Sequence, residues 1–420
     1  MYRVWNFVAE YSVLLILGAL SALVWANIDP HSYHAFVDFP LMEHTWVGHL
    51  HTDAAGVASR TLTVHYLIND VAMALFFAMA GKEVWEAVIL SDGSLRGKKA
   101  MTPLIATVGG MLGPIAVYLA LASLMGSTTF DAVRNGWAIP TATDIAFSYL
   151  IGRLVFGAGH PAVRFLLLLA IADDAAGLVI LAIFYPSGDL QPVWLLASVG
   201  ATVAVYLLAN RLPRMLDAGR KDKPVSSMVR AKLSFWPYAL AGCVSWYAFQ
   251  ESGIHPALGL LPIVMTIPHA DVNFGFFSEA ESHLTDLLNS IEHMLKRPVE
   301  LILFFFGLAN AGVELNFIGD ATWLVLAGLL IGKPAGILLM GWIAAKPMGL
   351  GLPVGMRIAD LFVLGCVAAI GFTVSLFVAS VAFAPGPVQD AAKMGALLSF
   401  GAAGLSFAAG WLCKVQKQDG

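Results

Sequence analysis

Charge is scarce in this sequence. Only 12% of its 420 residues are Asp, Glu, Lys or Arg, whereas 58% are hydrophobic, and the mean hydropathy is +0.76. A soluble domain carries about a quarter of its residues as charges, so a water-solvated surface is excluded for most of this chain. With a net charge of −4 and no basic stripe, a nucleic-acid partner is excluded as well. Cysteine is scarcer still. Cys243, Cys366 and Cys413 sit in or at the edge of apolar runs without CxxC spacing, which argues against a disulfide framework or a thiolate metal site. The period-2 alternation of a membrane barrel is missing, and no cofactor is expected. No short-residue cleavage site stands near Trp25-Ala26-Asn27, so the first apolar run is read as a retained span.

What is present is a succession of apolar runs of about 20 residues, the length a helix needs to cross a bilayer core of about 30 Å. Between charged or Pro/Gly-rich breaks they fall at 11–29, 64–85, 101–125, 132–152, 163–185, 192–210, 233–250, 254–268, 298–317, 321–345, 360–383 and 390–413. Backbone groups in lipid must be satisfied within each segment, so the runs are helices and the fold class is all-α, a polytopic membrane protein of about twelve spans. Residues 1–420 then form a single transmembrane domain, with an external loop at 30–63 and cytoplasmic loops at 211–232 and 269–297. Counting Lys and Arg by loop parity puts 19 on the side of the N-terminus and two, Arg60 and Arg134, on the other. The positive-inside rule makes the larger group cytoplasmic, and an even number of spans puts both termini there.

A charged side chain at the centre of a span costs at least about 2.5 kcal/mol, so it marks function by default. Four such residues stand out: Asp144 in GWAIPTATDIAF, Asp173 and Asp174 in LLLAIADDAAGLVI, and Lys333 in LLIGKPAGI. Adjacent aspartates on a helix point about 100° apart, so both can border one cavity. Together they offer hard oxygens that suit Na⁺ or a proton. Pro140, flanked by Thr141 and Thr143 just ahead of Asp144, favours interruption of the fourth span. Ala369-Ile370-Gly371-Phe372-Thr373 is a second break candidate in the eleventh. Paired interruptions expose helix ends of opposite dipole, which call for a compensating anion and cation, and Asp144 and Lys333 would fill those roles.

With these strings, together with SGIHPALGL, FGLANAGVEL and IGFTVSLFVASVAF in the same order, the chain resembles the NhaA family of sodium/proton antiporters. That family is itself a type example of inverted-repeat transporters, so the repeats and the crossing of two broken helices are what the resemblance implies. It also implies Asp174 as main ion ligand and proton carrier, with Asp173 as its partner salt-bridged to Lys333. Thr143 and Asp144 would line or balance the crossing, Na⁺ being held at Asp173 and Asp174. The activity implied is electrogenic exchange of two protons for one Na⁺ or Li⁺, by a homodimer in lipid, and not an enzymatic reaction. Glu83, Glu292, His293 and His255 match positions tied to pH response. The family's basic pair after Glu83 is replaced by Trp85 and Glu86, which puts pH activation, but not the ion site, in doubt.

Two rival readings are weaker. A sodium-coupled organic-anion carrier would use a related broken-helix scaffold, yet Lys333 with a doubled aspartate argues for exchange of bare cations. An intramembrane aspartyl protease would pair Asp144 with Asp173 or Asp174, but no span holds GxGD and a neighbouring ammonium would spoil the shared proton. The external loop carries His31, His34, His44, His49 and His51. The spacing is weak for a metal site, so solvated histidines are expected, and the resemblance implies a small hairpin at a dimer contact.

Overall fold

The computed structural model describes residues 2–52, 58–89, 98–217, 228–229, 232–268 and 287–418. Most of the two expected cytoplasmic loops, at 218–227, 230–231 and 269–286, and the external-loop residues 53–57 lie outside the described residues. Apolar runs form helices throughout. Val64–Ile89, Ala100–Leu124, Pro161–Phe184, Val193–Leu216, Asp320–Ala345 and Pro387–Leu412 are each long and apolar enough to cross a membrane. A seventh crossing results if Ile358–Ala368 and Phe372–Ala382, bent by 54° at Ala369–Gly371, are taken as one. The chain is thus a helical, multi-pass membrane protein.

Three expected segments take another form. At 254–268 the structure has a 3₁₀ turn, Pro256–Leu258, and a four-residue helix, Leu261–Val264. Pro256, Pro262 and Pro268 remove three backbone donors from this stretch, too many for one continuous ladder. The span expected at 298–317 is the helix Leu287–Asn310, which runs through Pro298. Its buried Leu288, Val299, Leu303 and Phe306 recur at helical spacing, so Lys296-Arg297-Pro298 is not its end. The external loop contributes a helix, Pro30–Val37, and strands β1 (Pro40–Thr45), β2 (His49–Thr52) and β3 (Ala58–Thr63). They form an antiparallel sheet in the order β1-β3-β2, the one departure from the all-α expectation among the described residues.

The chain divides into two compact units. One comprises His34–Ser91 and Leu181–Phe306, and its core gathers Val205, Tyr238, Ala241, Ile263, Ile267 and Leu288. The other comprises Tyr2–Tyr33, Asp92–Ile180 and Gly307–Gly420, with a core that includes Phe156, Phe165, Leu169, Leu361, Leu364 and Val367. Lipid is as apolar as leucine, so close packing rather than transfer from water must hold such helices together. In the second unit that packing is backbone against backbone. A Cβ added at Gly336 would lie 2.0 Å from the Gly109 carbonyl oxygen, and one at Gly113 would lie 2.2 Å from that of Gly332. The helices Lys98–Leu124 and Lys333–Ala345 therefore touch where Lys333 begins. A π-helical turn, Gly328–Gly332, precedes that lysine and sets its facing.

Candidate ion-binding site

The site lies wholly within the second unit, where two helices stop short of one another. A 3₁₀ stretch, Arg134–Thr141, contains Pro140 and ends in the extended residues Ala142 to Asp144 before the helix Ile145–Phe156 starts. Asp144 is the N-cap of that helix, buried, with Oδ1 accepting from the Phe147 amide at 3.1 Å. Its Oδ2 accepts from the Thr373 hydroxyl at 2.6 Å and the Thr373 amide at 3.3 Å, in the first turn of Phe372–Ala382. One carboxylate thus satisfies amide donors at two helix N-termini, the position where a negative charge is most favourable.

Lys333 is fully buried and meets the opposite polarity. Its Nζ donates to the Thr141 carbonyl, which ends the 3₁₀ stretch, at 2.5 Å, and lies 3.0 Å from Asp173 Oδ2. Both side chains of this ion pair are 0% exposed. The same Oδ2 accepts from the Thr143 hydroxyl at 2.6 Å, and that hydroxyl also lies 3.3 Å from the Ala368 carbonyl. Asp173 Oδ1 is buried and accepts no hydrogen bond among the described residues. Asp174 follows on the helix Pro161–Phe184, half-buried, and the charges that face it are Asp173, Asp144 and Lys333.

All five residues expected at the site, Thr143, Asp144, Asp173, Asp174 and Lys333, are therefore brought together, with Thr373 as a sixth. Sequence reading placed Thr373 in a break candidate without giving it a partner. The serines were missed: Ser148 donates to the Val367 carbonyl at 3.1 Å, Ser375 to that of Ile139 at 2.7 Å, and Ser399 accepts from the Gly371 amide at 3.3 Å. They bind carbonyls and an amide at or near the two interruptions. A serine in an apolar run gives no signal of that role until its partner is known.

The residues expected to respond to pH lie in the first unit. Glu83 and Glu292 share a cation with Glu86: Lys82 Nζ lies 3.4 Å from Glu83, 2.9 Å from Glu86 and 2.7 Å from Glu292. Lys82, the hub of this cluster, was passed over in the sequence, where it reads as one charge in a span. His293 is exposed on the helix of Glu292. His255 is buried elsewhere in the unit, accepting from the Ala257 amide at 3.3 Å and lying 3.7 Å from Asp70. Near it His49 stacks on His65, their centroids 6.4 Å apart. Among the described residues no group of three or more His, Cys, Asp or Glu is placed to hold a metal ion.

Membrane-length helices around a buried aspartate–lysine pair, with a second carboxylate beside it, define a multi-pass protein of the ion-handling kind. The chain belongs to the Na⁺/H⁺ antiporter 1 family, whose model matches residues 4–413. It is 72% identical over 419 residues to the Na(+)/H(+) antiporter NhaA of Jannaschia sp. (strain CCS1), covering all of both chains. It is 42% identical over 415 residues to the protein of the same name from Geobacter metallireducens, covering 98% of each. A solved structure of the sodium proton antiporter MjNhaP1 from Methanocaldococcus jannaschii covers 98% of each chain at 13% identity, with a TM-score of 0.46. The resemblance read from the sequence strings is thus membership of a family, and relatives named as antiporters are transporters rather than enzymes.

Proposed function

We propose that the chain is a secondary active antiporter that exchanges Na⁺ or Li⁺ for protons across the bacterial inner membrane, as a homodimer of twelve-span protomers with both termini cytoplasmic. The observation that carries this is the state of Asp173. One oxygen is shared by Lys333 and Thr143, the other is buried without a hydrogen bond, and a second carboxylate is next along the helix. Carboxylate and hydroxyl oxygens are the donors a hard alkali cation takes, and the same carboxylates can hold protons instead. Family membership and the names of the relatives support the same reading.

The mechanism follows from charge balance. A Na⁺ entering meets Asp174 and draws Asp173 away from Lys333, so the lysine is left as an ammonium without its counter-ion in a cavity of low dielectric. Loss of its proton relieves that uncompensated charge, and a second proton leaves the carboxyl of Asp174, so the site takes up one positive charge and gives up two. Two protons for one cation is electrogenic. Asp144 stays with the helix N-termini and keeps the crossing neutral throughout.

The test is Na⁺-driven dequenching of a pH dye in proteoliposomes, with and without an imposed membrane potential, and with Li⁺ and K⁺ as alternatives. Wild type should respond to Na⁺ and to voltage. Lys333→Gln, which has no proton to give, should be inactive or indifferent to voltage. A wild type that ignores voltage would overturn the two-proton mechanism and return Lys333 to a purely structural role.

A further inference from the structure

Three of the helices that meet at the site have their other ends at one place, and the segment Cys413–Gln418 runs through it. Ile145–Phe156 begins at its cap Asp144 and ends at Phe156, whose carbonyl accepts from the Gln418 amide at 3.0 Å. The Gly159 amide returns a bond to the Gln418 carbonyl at 2.8 Å. Ile358–Ala368 ends at the Ala368 carbonyl reached by Thr143, and begins behind Arg357. The Arg357 guanidinium donates to the Cys413 and Lys414 carbonyls at 3.2 and 3.1 Å and to Asp360 Oδ1 at 3.0 Å. Asp360 Oδ2 in turn accepts from the Arg357 amide at 2.7 Å. Pro161–Phe184, the helix of Asp173 and Asp174, starts just after His160, which stacks on Phe156 at 5.1 Å and accepts from the Ala162 amide at 3.1 Å.

The segment is seated closely. Gly157 adopts φ +88°, and a Cβ there would stand 2.5 Å from the Gln418 carbonyl oxygen, so only glycine lets the two backbones meet. Lys414 turns the chain with φ 49°, and Val415 packs on the core of Phe156, Phe165 and Leu361. Yet Lys414, Gln416, Lys417 and Gln418 are exposed, and Lys414 and Gln418 are held through their main-chain atoms. Segments with few buried apolar contacts open at low free energy. The helices themselves are stiff: Ile145–Phe156 and Ile358–Ala368 contain no proline and are about 18 and 16 Å long, so a shift at one end is felt at the other.

We propose that Arg357 and the segment Cys413–Gln418 form a clasp that positions the helix capped by Asp144, the helix of Asp173 and the helix that ends at the Ala368 carbonyl, and that opening it loosens the ion site without unfolding the chain. The consequence for transport rests on the antiport reading, so the test has a readout that does not need transport. Wild type, Arg357→Gln and a chain ended after Cys413 are compared, each purified whole and monodisperse. Hydrogen exchange over residues 141–148 and 366–374 should quicken about tenfold in both variants, with the helix Lys98–Leu124 unchanged. In proteoliposomes the apparent KM for Na⁺ should rise about fivefold while the maximal rate changes by less than about twofold, because the ligand oxygens lose their fixed spacing rather than their number. Unchanged exchange in those two segments overturns the clasp, and so does a fall in maximal rate at unchanged KM, the mark of a merely stabilising contact. If wild type itself drives no Na⁺-linked proton flux, the antiport reading fails, and the exchange measurement still decides the clasp.

Discussion

Lys82 in one unit and Lys333 in the other are both buried beside carboxylates, and the two lysines are treated in opposite ways. Lys82 is bounded by three glutamates at 2.7 to 3.4 Å, on helices that continue past it. Lys333 has one carboxylate and one helix-end carbonyl, and the carboxylate it holds keeps an oxygen without a hydrogen bond. The first arrangement gives the cation more counter-charge than it can neutralise and holds it in place. The second leaves the lysine's partner with one oxygen uncompensated. A buried charge is costly in both settings, but only where the compensation is incomplete can a small ion change the balance. The difference arises from backbone: Lys82 stands on an uninterrupted α-helix, Met73–Ile89, whereas Lys333 faces 3₁₀ and extended residues that expose carbonyls and amides as further ligands.

The sharpest way to break this comparison is to remove the competing ligand. Asp174→Asn should lower Na⁺-driven exchange by at least about a hundredfold, near 3 kcal/mol, in a protein that still inserts and elutes as a single species. Near-normal dequenching would put the ion elsewhere. Next in size is the contrasting lysine. Lys82→Met leaves three carboxylates with no cation between them and should lower stability by about 3 kcal/mol, read as a fall in the thermal midpoint of purified protein. The folded fraction should still transport; a folded but inactive Lys82→Met would mean that both lysines belong to the working machinery.

A smaller effect is expected from the charge that only balances helix ends. Asp144→Ala should reduce the exchange rate about tenfold, less than Asp174→Asn, since water can partly serve the amides of Phe147 and Thr373. Complete loss at normal expression would make Asp144 a direct ligand. The smallest effect concerns His160, outside the spans. Burial first, and the Arg357 charge as well, lower its pKa below the ordinary 6.5, with Asp360 opposing. Below pH 6.5 the unfolded chain then binds the extra proton and the folded one does not, so this contribution to stability is full above that pH and is lost as pH falls through the lowered value. The thermal midpoint of wild type should decline on that acid side, and His160→Asn, which keeps a capping oxygen without a titrating ring, should flatten the decline. Equal slopes for the two proteins would remove His160 from the account.

Much of this molecule could be read before any coordinates. Scarce charge and repeated apolar runs determined a helical membrane protein, because lipid permits little else, and the cost of a charge in a span singled out Asp144, Asp173, Asp174 and Lys333. The family strings joined them to one site. What the residues could not disclose was partnership. Lys82 looked like a stray charge until Glu292, more than two hundred residues away, was brought to it. The Lys296-Arg297-Pro298 triplet looked like a helix end because a local signal cannot report the apolar face that carries Leu287–Asn310 through it. Ser148 and Ser375 are indistinguishable in the sequence from serines that bond back to their own helix, and Ser399, which does bond back to the Ala396 carbonyl, gives no sign of the Gly371 amide it also accepts from. Residue type and spacing decide what a segment can bury and what chemistry it carries. Which carbonyl Lys333 meets, and which oxygen of Asp173 is left without a hydrogen bond, depends on where two interrupted helices stop, and only packing across the fold sets that.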